Sequence, residues 1–153
     1  MEQSALLLAS SLNAGTVLAI AALGLLINEK AGVVNLGAEG MMLCAALAGF
    51  ATVVATGSHT LGLLAGMLAG LLLAALFGLL VIWLNTNQYA TGLALSLFGA
   101  GFSAFAGTGY VQAKLPEQGP FAVPLLSDLP WFGPALFRHH PLVYGALALV
   151  LLL

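Results

Sequence analysis

The 153-residue chain is 61% hydrophobic and 5% charged, with five acidic and three basic side chains and a formal net charge of −2. A soluble domain carries about 25% charged residues, so this composition excludes a water-exposed globular protein and predicts an integral membrane protein. It also excludes a basic nucleic-acid-binding surface, and the single cysteine, Cys44, excludes an internal disulfide.

Hydrophobic runs separated by short polar joints predict an all-α polytopic helix bundle of about five transmembrane helices. Crossing the hydrocarbon core takes about 20 apolar residues in a helix. The predicted spans are residues 4–27, 36–55, 61–84, 89–107 and 142–153. The first span has no basic region before it, so we expect a retained helix and not a cleaved signal peptide.

The last span and the segment before it differ from the others. Residues 108–140 contain five of the six prolines, which cannot continue a helix, so this segment is predicted to be an extramembrane loop. The last span would reach only about 18 Å at 1.5 Å per residue. We therefore expect the chain to be the N-terminal part of a longer membrane protein.

Small residues recur every fourth position in the third and fourth spans. In lipid, small side chains let helix backbones approach closely, so this spacing predicts a tightly packed bundle. The positions are Gly62, Gly66, Gly70, Ala74 and Gly78 in the third span, and Gly92, Ser96, Ala100 and Ala104 together with Gly99, Ser103 and Gly107 in the fourth.

Residues 28–43 form a polar, glycine-rich joint, and Glu39 is its most informative residue. An ionised carboxylate at the bilayer centre costs about 2.5–3.5 kcal/mol and faces a partner or an aqueous cavity. Alternatively, Glu39 lies at the interface, where the helix dipole stabilises it. The residues alone leave both interpretations open.

Amide and glycine residues flank this carboxylate and recur at a second joint. Asn35, Gly37 and Gly40 are typical of a cap and a turn, but also of a broken helix that exposes its backbone to a transported solute. Asn87, Gln88 and Thr91 begin the fourth span and could cap it or line the same cavity.

The sequence shows no nucleophile constellation, no metal-ligand spacing and no G-x-x-x-x-G-K-[ST] phosphate-binding motif. The three histidines, His59, His139 and His140, are too scattered to predict a metal site. We therefore expect a chain that is not an enzyme and that binds no cofactor or metal itself.

Residues 31–42 resemble the permease subunits of bacterial ABC importers, specifically the simple-sugar and purine-nucleoside branch of the branched-chain amino acid/ribose permease superfamily. Residues 87–95 resemble a second motif of that branch, and residues 124–130 with Gly133 and Pro134 resemble its external loop. The likeness runs from about residue 5 to the last residue and covers about the first half of such a permease.

The resemblance implies an inner-membrane subunit that pairs with a second permease and two ABC ATPase subunits, which use ATP and magnesium. An extracytoplasmic solute-binding protein or lipoprotein would deliver the solute. Carried over, the substrate path comprises Asn35, Gly37, Glu39, Gly40, Asn87, Gln88 and Thr91, without a catalytic role. The segment that couples such permeases to the ATPase follows the fifth helix and is absent from these 153 residues.

The sequence leaves alternative interpretations of both the membrane orientation and the function. The resemblance places residues 108–140 outside the cell, whereas the count of lysine and arginine residues places them in the cytoplasm by one charge. We follow the resemblance. The alternative functions are an ion-coupled secondary transporter that uses Glu39, a branched-chain amino acid-type ABC permease, and a small structural membrane protein that is complete as written.

Overall fold

The computed structural model describes residues 2–115, 143–145, 148 and 150, and every regular element in these residues is helical. Within this described part of the chain, four segments are long and apolar enough to cross a membrane, so the predicted all-α polytopic membrane fold is confirmed. The helices are α1 (Glu2–Lys30), α2 (Ala38–Thr56), α3 (His59–Gly78) and α4 (Gln88–Gly107). A π-helical turn (Leu79–Trp83) follows α3, and a 3-10 turn (Thr108–Tyr110) follows α4.

The first four predicted spans correspond to α1, α2, α3 with its π-helical turn, and α4. Helix α2 is continuous from its first residue, so the interruption expected in the second helix lies before it, in residues 31–37. Within the predicted fifth span, residues 143–145, 148 and 150 are helical. The rest of that span and residues 116–140 of the predicted loop lie outside the described residues.

The chain divides into two compact units, residues 28–117 and residues 1–27 together with 118–153. In α1, the hydroxyl groups of Ser11 and Thr16 donate hydrogen bonds to the carbonyl oxygens of Leu7 and Leu12, at 2.8 and 2.7 Å. Such bonds to the preceding turn satisfy a hydroxyl group where lipid offers no partner. The polar residues of α1 are thus compatible with a transmembrane helix.

Within residues 28–117, α2 and α3 form an antiparallel hairpin. Gly57 ends α2 in the left-handed conformation (φ 70°), and its N–H bonds back to the last turn of α2. Glycine and alanine residues form the facing surfaces. A Cβ atom added to Gly49 would lie 3.0 Å from the carbonyl oxygen of Gly62, and one added to Gly66 would lie 3.0 Å from the carbonyl oxygen of Ala45. The predicted close packing is therefore present between these two helices.

Helix α4 packs against α2 and runs parallel to it. Near the start of α2, Gly40 contacts Gly99, and further along both elements Phe50 packs edge-on against Tyr110 at a ring-centroid distance of 6.2 Å. Since residue numbers rise together along this contact, α2 and α4 begin at the same end of the unit. The antiparallel α3 ends there.

The small core of this unit lies near that end, where the buried side chains are Met41, Phe77 and Leu95. Many large apolar side chains elsewhere are exposed, including Leu97 at 75%, Phe105 at 80% and Trp83 at 82%. A water-soluble protein of this size rarely leaves so much apolar surface uncovered, whereas lipid accommodates it.

Candidate functional site

The polar joints predicted from the sequence meet at one end of the unit formed by residues 28–117. We call this region the polar end; it comprises the α1–α2 linker (residues 31–37), the π-helical turn, the α3–α4 loop (residues 84–87) and the first turns of α4. Val33 from the linker and Val81 from the π-helical turn both pack on the core of Met41, Phe77 and Leu95. The core therefore holds the joints together.

A glycine-terminated turn begins the linker. Gly32 has φ of 83°, its N–H donates to the oxygen of Glu29, and the N–H of Val33 donates to the oxygen of Asn28. This pair of bonds is the Schellman arrangement, which ends a helix by placing glycine in the left-handed conformation. The chain thereby leaves α1 in a defined direction.

Asn35 shapes the second half of the linker. Its side-chain oxygen accepts a hydrogen bond from the N–H of Gly37 at 2.9 Å, and its amide nitrogen lies 3.8 Å from the sulfur of Met41. The side chain is half-buried. Asn35 therefore stabilises the turn into α2, although the residue at the N-cap position is Gly37, which offers no side-chain cap.

Two side chains of α4 bind the linker backbone directly. The side-chain oxygen of Gln88 accepts a hydrogen bond from the N–H of Val34 at 3.0 Å, and the hydroxyl group of Ser96 donates to the carbonyl oxygen of Leu36 at 2.9 Å. Non-helical backbone at the end of a membrane span needs such partners because lipid supplies none. The four-residue spacing predicts Ser96 only as a small packing residue, and its hydroxyl group is the feature of the sequence that indicates this further bond.

Glycine residues bring the linker and α2 onto α4 at backbone distance. A Cβ atom added to Gly37 would lie 3.1 Å from the Cβ atom of Leu95. One added to Gly92 would lie 2.9 Å from the backbone nitrogen of Leu36. A Cβ atom added to Gly40 would overlap the carbonyl oxygen of Leu95. The predicted residues Gly37 and Gly40 therefore act through the absence of a side chain.

The remaining polar residues of the second joint are engaged in local structure. The side-chain oxygen of Asn87 accepts hydrogen bonds from the N–H groups of Tyr89 and Ala90, at 3.0 and 3.2 Å, and so caps α4. The hydroxyl oxygens of Thr86 and Thr91 are 2.9 Å apart. Thr86 donates its proton to the oxygen of Leu80, so Thr91 donates to Thr86.

Glu39 lies in the first turn of α2 and is exposed. Among the residues that the structure describes, none forms an ion pair or a hydrogen bond with its carboxylate. The structure thus brings Asn35, Gly37, Gly40 and Gln88 into one connected group, and leaves Glu39 outside that network of contacts.

An open groove of about 370 Å³ lies beside the α3–α4 loop. Its lining contains no charged side chain, and amide, hydroxyl and aromatic groups line it together with the apolar side chain of Val81. The lining residues are Val81, Asn85, Thr86, Asn87, Gln88 and Tyr89. Within the described ranges, no three His, Cys, Asp or Glu side chains are grouped closely enough to hold a metal ion.

Comparison with known proteins gives relatives along nearly the whole chain. The chain is 42% identical in sequence to the "Putative glucose ABC transporter permease protein TsgC13" of Haloferax volcanii, over 98% of this chain and 47% of the relative. It is 32% identical to the "Guanosine ABC transporter permease protein NupQ" of Bacillus subtilis, over 78% of this chain and 41% of the relative.

A third relative is the "Nucleoside ABC transporter permease protein NupC" of Lactococcus lactis subsp. cremoris, 30% identical over 95% of this chain and 49% of the relative. The chain thus spans about half the length of the curated relatives it matches. No solved structure matches it significantly.

Residues 7–153 match the family model described as "Branched-chain amino acid transport system / permease component". That match covers nearly all of the chain, and the helical membrane fold agrees with it. The chain therefore belongs to this family of transport-system permeases.

Proposed function

We propose that the protein forms the translocation path of an ATP-driven importer for a nucleoside or a simple sugar. The observation that most directly supports this solute class is the uncharged lining of the groove at the polar end. The side-chain oxygens of Thr86, Asn87 and Gln88 are already bonded within the chain. The amide N–H groups of the lining and the hydroxyl group of Tyr89 can hydrogen-bond to sugar hydroxyl groups and nucleobase edges without requiring charge. The names of three relatives, which specify glucose, guanosine and nucleosides, point in the same direction.

The path is proposed to run along the polar end. Asn35, Gly37 and Gly40 shape its wall, with Gln88 and Thr91 beside them, and Glu39 supplies an exposed carboxylate at the start of α2. Asn87 caps α4 at the edge of the groove. Membrane transporters often present backbone polar groups to a solute where the helical structure is interrupted, and residues 31–37 are such an interruption between α1 and α2.

The proposed assembly contains a second permease subunit, two ABC ATPase subunits and an extracytoplasmic solute-binding protein or lipoprotein. ATP and magnesium would be bound by the ATPase subunits, and this chain would bind neither. The assembly would lie in the cytoplasmic membrane with residues 108–140 outside. A reporter fusion at about position 120 that stays in the cytoplasm would contradict this orientation.

Uptake measurements test the solute class. In cells that contain the full-length permease with its partner subunits, labelled guanosine, adenosine, ribose and glucose should enter at rates that fall when the permease is deleted. Inactivating the ATPase should abolish the same uptake. If none of these solutes depends on the permease, the assignment to nucleosides and sugars is wrong.

A branched-chain amino acid is the second candidate solute, because the family description names that transport system. An amino acid is a zwitterion and is usually bound by charged partners together with helix ends. The groove lining includes the first turn of α4 but no charged side chain. A competition experiment distinguishes a nucleoside or sugar permease from an amino acid permease. For the proposed function, excess unlabelled leucine should leave the uptake of labelled guanosine unchanged. An ion-coupled transporter using Glu39 would instead continue uptake after loss of the ATPase.

A further inference from the structure

Three residues of α4 form a cradle for the linker backbone. Gln88, Gly92 and Ser96 are spaced four residues apart, so they lie along one side of the helix. The first and last bind the backbone at Val34 and Leu36, at 3.0 and 2.9 Å. Gly92 lies between them and has no side chain, so the linker can approach closely. A Cβ atom added to Gly92 would lie only 2.9 Å from the backbone nitrogen of Leu36.

The contacts beside this cradle resist sliding. Gly40 meets the backbone of Leu95 and Ser96, and Gly99 meets the backbone of Gly40. Backbone atoms cannot move aside by a rotamer change as a flexible side chain can. A shift of the linker along α4 would also break both hydrogen bonds, and the N–H of Val34 and the carbonyl of Leu36 would lose these partners.

We propose that the linker, the first turns of α2 and α4 form one rigid body that keeps its geometry throughout transport, with Gln88 and Ser96 as positioning residues. The inference rests on the proposed function, since it assigns the linker to the wall of the path. In this arrangement Gln88 does not select the solute with its side-chain oxygen. Gln88 holds the linker backbone in place. The relative movement that transport requires occurs outside the contact of the linker and α2 with α4, which we call the crossing.

A disulfide across the crossing tests the rigid body. In the full-length permease with its partner subunits and with Cys44→Ala, the pair Gly37→Cys and Leu95→Cys places two Cβ atoms about 3.1 Å apart, somewhat closer than in an ordinary disulfide. Because this pair also changes the core residue Leu95, uptake is compared only within each variant, before and after oxidation. The matched control is Ala45→Cys with Gly70→Cys, across α2 and α3, where the Cβ separation is 3.8 Å.

Both pairs should form disulfides in membranes treated with an oxidant, and the oxidised transporters should retain at least about half of their uptake before oxidation. Loss of uptake on oxidation of the Gly37–Leu95 pair, with recovery on reduction and no such loss in the control pair, would overturn the rigid body. Failure of the Gly37–Leu95 disulfide to form while the control disulfide forms would overturn the crossing geometry.

Substitution of Gln88 provides a second measurement if the cysteine pair is poorly produced. Gln88→Leu removes the acceptor for the Val34 N–H, whereas Gln88→Glu retains one in nearly the same shape. The apparent Tm in detergent should fall for Leu, because the Val34 N–H loses its partner, and should remain near the unsubstituted value for Glu. Equal Tm values for the two variants would contradict the positioning role.

Disulfide formation is scored without any solute, so it tests the crossing independently of the transport assignment. If the unsubstituted permease moves none of the four labelled solutes while the disulfide forms, the proposed function fails and the crossing stands.

Discussion

Gly40 and Gly99 lie backbone against backbone where α2 crosses α4. A Cβ atom added to Gly99 would overlap the carbonyl oxygen of Gly40, and neither helix can yield by a side-chain movement. Since no hydrophobic force drives helices together in lipid, this close approach is itself a source of helix association. The relationship brings the start of α2 onto α4 and thereby sets the position of the linker.

Gly99→Ala in the full-length permease should destabilise this crossing. Overpacking of this kind costs about 1–3 kcal/mol, so the apparent Tm in detergent should fall. Gly101→Ala is the matched control on the same helix, because an added Cβ atom there meets nothing within 4 Å. That variant should stay within about 0.5 kcal/mol of the unsubstituted protein. Equal Tm values for the two variants would show that the backbone contact is absent.

Asn85 should tolerate glycine and reject a β-branched residue. It has φ of 50°, in the left-handed region, where asparagine is accepted and branched side chains are not. Asn85→Val should lower stability by about 1–2 kcal/mol, whereas Asn85→Gly should leave Tm nearly unchanged. Thermal unfolding of the three purified proteins measures both effects. A Val variant as stable as the Gly variant would contradict the turn geometry after the π-helical turn.

Asn87 should act as the cap of α4 and not as a solute ligand. Asn87→Ala removes the acceptor for the N–H groups of Tyr89 and Ala90 and should cost about 0.5–2 kcal/mol. Asn87→Ser keeps an uncharged acceptor at the cap and should restore both the stability and the uptake rate. An Ala variant with unchanged Tm but reduced uptake per transporter would instead assign Asn87 to the solute.

Glu39→Gln should separate a transport role from a structural one. The carboxylate is exposed and has no side-chain partner among the described residues, so its neutral isostere should change stability by less than about 0.5 kcal/mol. Uptake per transporter should fall severalfold if the carboxylate faces the path. Met42→Leu, an exposed apolar change in the same helix, is the control and should leave uptake unchanged. Full uptake by Glu39→Gln would remove this residue from the proposed path.

The sequence was sufficient to predict the helices and the place of their joints, because both depend on local composition. About 20 consecutive apolar residues require a helix in lipid, and polar runs such as residues 85–88 interrupt it. The four-residue spacing of small residues predicted close packing, and Gly62, Gly66, Gly92 and Gly99 do face another helix. The same spacing included Ala74, which is exposed. A four-residue step advances about 40° beyond a full turn, so such a stripe leaves the interface after a few steps.

Only the tertiary structure decided what the polar residues of the joints do. Gln88 and Ser96 bind backbone groups 54 and 60 residues away, and no local pattern specifies that pairing. It results from the way glycine contacts and the core of Met41, Phe77 and Leu95 set the crossing of α2 with α4. Amino-acid composition determined that this chain spans a membrane, because the cost of exposing apolar surface to water is a sum over residues. Long-range packing determined which polar side chains bond to the backbone of a distant segment, because a hydrogen bond depends on the distance between two particular atoms.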